Sequence, residues 1–343
     1  MADSLLSTAQ RDAAAKILQT PILAAEGISQ GANNLVCRIR TGTGSFVLKH
    51  YLKTPGDRRD RFRAETEGLR FMNAQRILCV PELVGDDNEN RLAVMNFREG
   101  NPIETVSDSD IDAAFSFATE LHGAGKRESE QDLGEAAEAC LAPTEIHRQI
   151  VARRQRLDPA AADHPGLAAF LHRDFDPAYT AFADAAATQL AKSGIDYTSP
   201  LPRDRQTLSP SDFGFHNALR DAERITFVDF EYFGWDDPVR LVSDFLLHPG
   251  HRLSSSQKDR FASAMSRYFA THDGCFISRL EALYPLIGLR WCMIMLNEFL
   301  PERLARRRAA GTSGDTSVIF ARQLDKSAAL LLSLHETKKA SAF

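Results

Sequence analysis

The sequence predicts an α+β protein in two lobes, a small antiparallel-sheet lobe with one helix followed by a larger, mostly helical lobe. Three observations carry that expectation. Short runs rich in branched and aromatic residues fill the first hundred positions, separated by turn residues. Helical periodicity takes over after the connection REGNP at 98–102. A small hairpin-like stretch at 208–231 then interrupts the helices.

Residues 21–51 read as strands. NLVCRIR (34–40) and SFVLKHY (45–51) flank TGTG, which is a hairpin signature. Residues 57–76 carry helical spacing, with Phe62, Leu69 and Met72 among charges. PELVGDD (81–87) and RLAVMNF (91–97) fit two more strands. Beyond the connection, residues 109–122, 143–157, 164–194, 239–247, 255–272, 278–300 and 316–336 read as helices, with 124–142 polar and loop-prone. The lobe boundary falls between residues 97 and 98, giving lobes 1–97 and 98–343.

Composition narrows the classes of function. With 343 residues, 43% of them apolar and 25% charged, the chain can bury a sizeable core. A formal net charge of -5 argues against a general nucleic-acid binder. The one basic run, Arg303 to Arg308, is interrupted by Leu304 and Ala305 and reads as a solvated helix end. Five cysteines without a C-x-x-C pair fit reduced thiols in a cytoplasmic protein. The opening residues lack the pattern of a signal peptide. The most apolar stretch, 282–300, contains Arg290 and Glu298 and reads as a buried helix, so no membrane span is expected.

The chemistry concentrates in SPSDFGFHNALRDAERITFVDFEYFGWDDP, residues 209–238. Asp212 is followed five residues later by Asn217, and after a turn an apolar strand ends in Asp229. Phosphoryl transfer asks a protein for in-line positioning, a group to accept the hydroxyl proton, and hard oxygen ligands for a divalent cation. A loop aspartate, an asparagine and a strand-end aspartate can fill those three roles. The bland alternative is a polar turn with capping aspartates.

On these residues the sequence resembles the aminoglycoside phosphotransferase and choline kinase superfamily, which shares the protein-kinase-like fold. The resemblance runs from about residue 20 to 300, and its DFEY portion (229–232) looks more like the choline and ethanolamine kinase branch. It implies a catalytic Asp212, with Asn217 and Asp229 binding Mg2+. It implies Lys49, mid-strand in FVLKHY, on the ATP α/β-phosphates, with Glu65 as its partner and Glu67 as the alternative. Without a family, Lys49 would read as an edge-strand lysine that deters aggregation. The loop ISQGANN (28–34) is a candidate phosphate clamp through Gly31 and Asn33, or a plain turn. Adenine would be held near Met95 to Phe97. Residues 1–97 then become the nucleotide-binding lobe and 98–343 the catalytic and acceptor-binding lobe.

There is a departure. Two positions before the catalytic aspartate the family usually has histidine, a support of the loop. This chain has Pro210, with His216 nearby but at a different position.

The resulting expectation is an ATP-dependent kinase for a hydroxyl on a small metabolite: an amino alcohol, a sugar or an aminoglycoside-like molecule. A catalytically inactive, nucleotide-binding regulatory relative is the alternative, motivated by Pro210; a nucleotidyl transferase on the same fold is a third. A protein kinase is disfavoured, because only eight residues separate Asp229 from Asp237-Pro238 and leave no long activation segment. Asp237 reads as a helix cap and Asp244 as structural. For the acceptor, Glu281, Glu298 and Asp273 suit a polycation, whereas Trp235, Tyr284 and Trp291 suit a quaternary ammonium. Trp291, Met295 and Glu298 share one face of the expected helix.

Overall fold

A computed structural model describes residues 5–30, 34–53, 59–128, 133–222, 224–304 and 315–340. The chain divides into two compact units. One comprises Met1–Ala137, Thr207–Trp235 and Gly250–Arg252; the other comprises Glu138–Gln206, Asp236–Pro249 and Leu253–Phe343.

The first unit is built on a five-stranded antiparallel sheet. Its strands β1 (Ala24–Gln30), β2 (Asn34–Arg40), β3 (Ser45–Tyr51), β4 (Leu83–Asp87) and β5 (Leu92–Asn96) lie in the order β1-β2-β3-β5-β4. The β2–β3 turn closes with the Thr41 N–H donating to the Gly44 carbonyl at 2.9 Å, and Gly44 at φ +153° supplies backbone freedom that a side chain would restrict. Period two puts Cys37, Ile39, Leu48, Leu92 and Val94 on one face, where they form a core with Ala13 and Ala14.

Those alanines belong to helix α1 (Thr8–Leu18), which the sequence reading left out. Its start is written in a reciprocal capping box between Ser7 and Gln10. Burying side chains such as Leu48 and Ile39 contributes about 1.5–3 kcal/mol each, so this face is what seats α1. The other face carries Lys49, and α2 (Arg61–Ala74) brings Glu65 to it.

The same unit holds β6 (Asn101–Pro102), α3 (Asp108–Arg127), β7 (Thr207–Ser209), β8 (Ala218–Asp221), β9 (Arg224–Phe227) and, apart from its last residue, β10 (Gly234–Asp236). β6, β8 and β9 form a small antiparallel sheet, and β7 pairs with β10. Phe117 of α3 stacks on Phe227 at 4.7 Å, which fixes the hairpin that leads into Asp229. The strand-like pieces expected at 208–231 are therefore present. β7 and β10 were not anticipated: three residues are too few to show a period. Helix α3 also runs to Arg127, into the stretch expected to be loop.

The second unit is helical. α4 (Pro143–Arg156), α5 (Asp158–Asp163), α6 (Pro165–Ala169), α7 (Asp176–Lys192), α8 (Pro238–Leu247), α9 (Ser255–Ala270), α10 (Phe276–Met295) and α11 (Thr316–Ala340) are its α-helices. The apolar α10 is the hub, packing against α4, α7, α8, α9 and α11. Three differences from expectation arise here. α5, six residues, falls between the helices expected over 143–157 and 164–194. The single helix expected over 164–194 is interrupted by a π-helical turn, Phe170–Phe175, between α6 and α7. The helix expected over 278–300 tightens after Met295 into a 3-10 turn, Leu296–Phe299, so Glu298 does not continue the face of Trp291 and Met295. Among the described residues no helix is long and apolar enough to cross a membrane. All five cysteines are free thiols.

Candidate active site

Lys49 is 5% exposed, and its Nζ lies 2.6 Å from Glu65 Oε2 and 2.6 Å from Asp229 Oδ1. A third carboxylate, Glu231, is 3.7 Å away. Burial works against the ammonium, but the three acids outweigh it, and the Lys49 pKa lies above the ordinary lysine value. Glu65 is fully enclosed. Besides Lys49 it accepts from the Tyr51 hydroxyl at 2.7 Å and from the Phe230 N–H at 3.2 Å. One carboxylate thus ties β3 and α2 to the segment that carries Asp229. Burial pushes the Glu65 carboxyl up, with the Lys49 ammonium opposing. Glu67 pairs instead with Arg63, at 2.8 Å on the helix surface.

Asp229 has φ +69°, the left-handed region that non-glycine residues rarely occupy. Strain of that kind costs on the order of 1–3 kcal/mol and persists where surrounding contacts over-determine it. Here those contacts are Lys49 and the Phe230 N–H bond to Glu65.

Asp212 and Asn217 meet on the loop between β7 and β8. The Asn217 amide nitrogen donates to the Asp212 carbonyl at 3.0 Å and to its Oδ2 at 3.3 Å. The Asn217 carbonyl accepts from the Val228 N–H at 2.9 Å, which joins this loop to the approach to Asp229. His216 Nε2 stands 3.2 Å from Asp212 Oδ1. The Phe215 N–H donates to His251 Nδ1 at 3.3 Å. A Cβ at position 214 would come within 2.7 Å of that nitrogen and 2.8 Å of His216 Nδ1, so only glycine fits between the rings. Pro210 occupies the turn itself, its carbonyl accepting from the Asp212 N–H at 2.9 Å. An imidazole therefore reaches the aspartate from four residues downstream rather than two upstream.

Met95 lies opposite Val47 in the β3–β5 register and is buried; Phe97, half-buried, has the Arg38 guanidinium 4.0 Å over its ring. Gly31 and Asn33 lie outside the described residues.

Sequence reasoning missed Glu231, Asn34, Tyr51 and Arg61. Glu231 is 6% exposed, accepts from the Asn34 amide, and lies 3.7 Å from Arg61 Nε. No strand pattern marks Glu231, because Asp229 at φ +69° and the turn closed by the Phe233 N–H on the Phe230 carbonyl at 3.0 Å take the chain out of the extended form.

The acceptor candidates scatter. Trp235, Tyr284 and Trp291 are buried, and the Trp291 indole N–H donates to Asp244 at 2.7 Å. Asp273 is buried against Arg279 at 2.8 Å. Glu281 is exposed and bonded to Gln189 at 2.9 Å, and Glu298 is half-buried. Asp237 caps α8 through the Val239 N–H, and Asp244 is bracketed by Arg240 and Arg290.

A profile of the phosphotransferase enzyme family (APH) matches residues 24–274, most of the chain, including Lys49, Glu65, Asp212, Asn217 and Asp229. The chain belongs to that family. This APH-family protein is accordingly a phosphotransferase. No curated protein sequence matches it. Among solved structures it is similar to a putative aminoglycoside phosphotransferase from Ralstonia eutropha, with TM-score 0.60 and 12% identity over 96% of this chain and 98% of that one. A spectinomycin phosphotransferase bound to ADP and spectinomycin gives TM-score 0.56 and 13% identity, over 91% and 94%. A choline/ethanolamine kinase family protein from Mesorhizobium loti gives 0.54 and 18%, over 94% and 93%. At such identities the likeness is one of fold, and it places the APH-family phosphotransferase in the protein-kinase-like architecture.

Proposed function

We propose that this phosphotransferase moves the γ-phosphate of ATP onto a hydroxyl of a small metabolite, with Asp212 as the base that accepts the hydroxyl proton. Asn217 and Asp229 are the ligands for Mg2+, Lys49 holds the α/β-phosphates, and Glu65 holds Lys49. Adenine is held along Met95 to Phe97. Residues 1–97 serve as the nucleotide-binding lobe and 98–343 as the catalytic and acceptor-binding lobe.

The observation that carries this reading is the charge arrangement around Lys49. Among the described residues, three carboxylates (Glu65, Asp229, Glu231) gather around the Lys49 ammonium, with Arg61 3.7 Å from Glu231, in a mostly buried centre that is rich in acids before any phosphate arrives. A triphosphate is repelled by such a centre unless a divalent cation accompanies it. The donor set suits Mg2+: Asp229 offers a carboxylate, and the Asn217 amide, its nitrogen committed to Asp212, offers its carbonyl oxygen. When bound, the ion neutralises phosphate charge. The chain's own residues do the rest. The Asn217 amide fixes the Asp212 carboxylate on one side and His216 on the other, leaving a proton acceptor of defined orientation. That contact weighs against the inactive-relative reading, which rested on Pro210.

The acceptor class is an amino alcohol, a sugar or an aminoglycoside-like molecule, in line with the spectinomycin and choline/ethanolamine names among the structural neighbours. The free thiols fit a reducing, cytoplasmic setting.

The test is phosphorus NMR of ATP and Mg2+ incubated with the protein and a panel of alcohols. The expected products are ADP and a phosphate ester. AMP and pyrophosphate indicate nucleotidyl transfer, and Mg2+-dependent ATP binding without turnover for any acceptor indicates a regulatory protein.

A further inference from the structure

Directly opposed residues in an antiparallel sheet share a face. Val36, Lys49 and Ala93 therefore form one row, and Arg38, Val47 and Met95 form the next row on the same face. The rows are two residues apart along β3, about 7 Å at about 3.4 Å per residue. That is the scale of a ribose between a base and its first phosphates. The opposite face is packed against α1, yet on this face Val36 and Val47 stay half-buried although both are apolar. An apolar strip left part-open beside a buried lysine has the shape of a site for the uncharged end of a nucleotide.

Arg38 lies on that strip and is unusually well fixed for a surface arginine. Its guanidinium donates to Ser45 Oγ from Nε at 3.3 Å and from Nη2 at 3.2 Å. Nη2 lies 3.7 Å from Glu99, and Cζ lies over the Phe97 ring, 4.0 Å from its centroid. A third of the side chain, 34%, remains open. A guanidinium oriented in this way is a planar, weakly hydrated surface that stacks on aromatic rings.

We propose that Arg38 is a base-binding residue, its guanidinium backed by Phe97 and stacked on the purine of the nucleotide whose phosphates reach Lys49. The inference rests on the nucleotide reading of Lys49 given above and adds to it the contact that selects the base. Arg38 reads the ring and leaves the phosphates to Lys49. A lysine cannot replace it, because an ammonium offers no plane and holds its water more strongly.

The experiment is calorimetric titration of the full chain with adenosine, with ATP plus Mg2+, and with inorganic tripolyphosphate plus Mg2+, for the parent, Arg38→Ala and Arg38→Lys. Loss of a stacked cation lowers affinity roughly 3- to 30-fold. Arg38→Ala is expected to weaken adenosine and ATP by the same factor in that range and leave tripolyphosphate unchanged, with Arg38→Lys recovering little. A matching fall for tripolyphosphate would make Arg38 a phosphate ligand and overturn the proposal. So would unchanged adenosine binding, which makes it a tether between β2 and Phe97. Should Arg38→Ala melt early, Arg38→Lys keeps the stem and the charge and decides between the same outcomes. A parent chain that binds tripolyphosphate but not adenosine overturns the stacking alone. One that binds none of the three overturns the nucleotide reading itself.

Discussion

Three carboxylates converge on Lys49, and its chemistry fixes what its removal does. Taking away one partner of a buried ion pair leaves uncompensated charge, at a cost of about 3–5 kcal/mol. Lys49→Met sets Glu65, Asp229 and Glu231 against one another, so it is expected to lose stability on that scale in denaturant titration and to lose Mg2+-dependent ATP binding. Glu65→Gln keeps the shape but only one acceptor oxygen, and since Tyr51 and the Phe230 N–H bond opposite oxygens of the carboxylate, one of those two donors is left facing an NH2 and this variant is expected to lose stability as well. The pH dependence follows from the sign of the shift. The folded pKa of Lys49 lies above the unfolded lysine value of about 10.4, so its contribution is complete below that value and fades only as pH rises through the higher folded one. ATP affinity measured between pH 7 and 9.5 is expected to show no fall caused by deprotonation of this amine. At Asp212, His216→Ala is expected to lower kcat about tenfold with little change in ATP affinity, and His216→Gln to restore part of the rate through its amide donor. Equal losses in both variants would reduce His216 to a packing role. These residues were unequally legible. Lys49, Asp212, Asn217 and Asp229 belong to short-range patterns. Glu231, Asn34 and Arg61 meet only when segments up to 197 residues apart come together, and no local spacing announces that.

Elements were legible where their period was long enough to count. β2, β3, α2 and the longer helices of the second unit stand out because seven or more residues repeat one pattern, whereas α5, six residues long, does not. β7 and β10 are three residues each and owe their pairing to tertiary packing. The π-helical turn at 170–175 interrupts a stretch whose periodicity looks continuous. Close packing between elements yields a graded prediction. A Cβ at Gly68 of α2 would meet the buried Phe233 side chain at 2.7 Å, whereas at Gly234 of β10 it would strike the backbone of Glu135 and Ala136 at 2.4 Å, which no rotamer change can relieve. Gly234→Ala is expected to destabilise by about 1–3 kcal/mol or more in denaturant titration, and Gly68→Ala by less. In the second unit, Arg240 of α8 bridges Asp236 at 2.5 Å and Asp244 at 3.0 Å, and Arg290 of α10 reaches Asp244 at 3.3 Å and Glu138 at 3.1 Å. Burial works against the Glu138 carboxylate, yet Arg153, Arg290 and Arg240 bring its pKa down to about 2. A depressed carboxyl stabilises above its unfolded value, about 4.3, and loses that contribution as pH falls through the folded one. Since the side chain is 39% exposed, solvent screens part of the effect. Glu138→Gln is therefore expected to be less stable than the parent at pH 7, with the gap narrowing below the unfolded value and closing only once pH falls below about 2. A gap independent of pH would assign the loss to packing.

At the scale of the whole molecule, every described residue proposed to hold nucleotide lies in one compact unit: Lys49, Glu65, Met95, Phe97, Asp212, Asn217 and Asp229. Ligand binding stabilises the state that binds, by about 2.7 kcal/mol at a hundredfold excess over Kd. Hydrogen exchange with ATP and Mg2+ is expected to slow in β2, β3 and the 212–230 segment. The chemistry of the whole chain rests on Asp212 as the proton acceptor, and that is tested most directly by Asp212→Asn. The amide keeps the shape and the contact with Asn217 but cannot take a proton, so with ATP, Mg2+ and a hydroxyl acceptor found by product analysis, kcat is expected to fall by about 100-fold or more while the Kd for ATP stays within a few-fold of the parent. An Asp212→Asn chain that transfers phosphate at the parental rate would contradict the assignment.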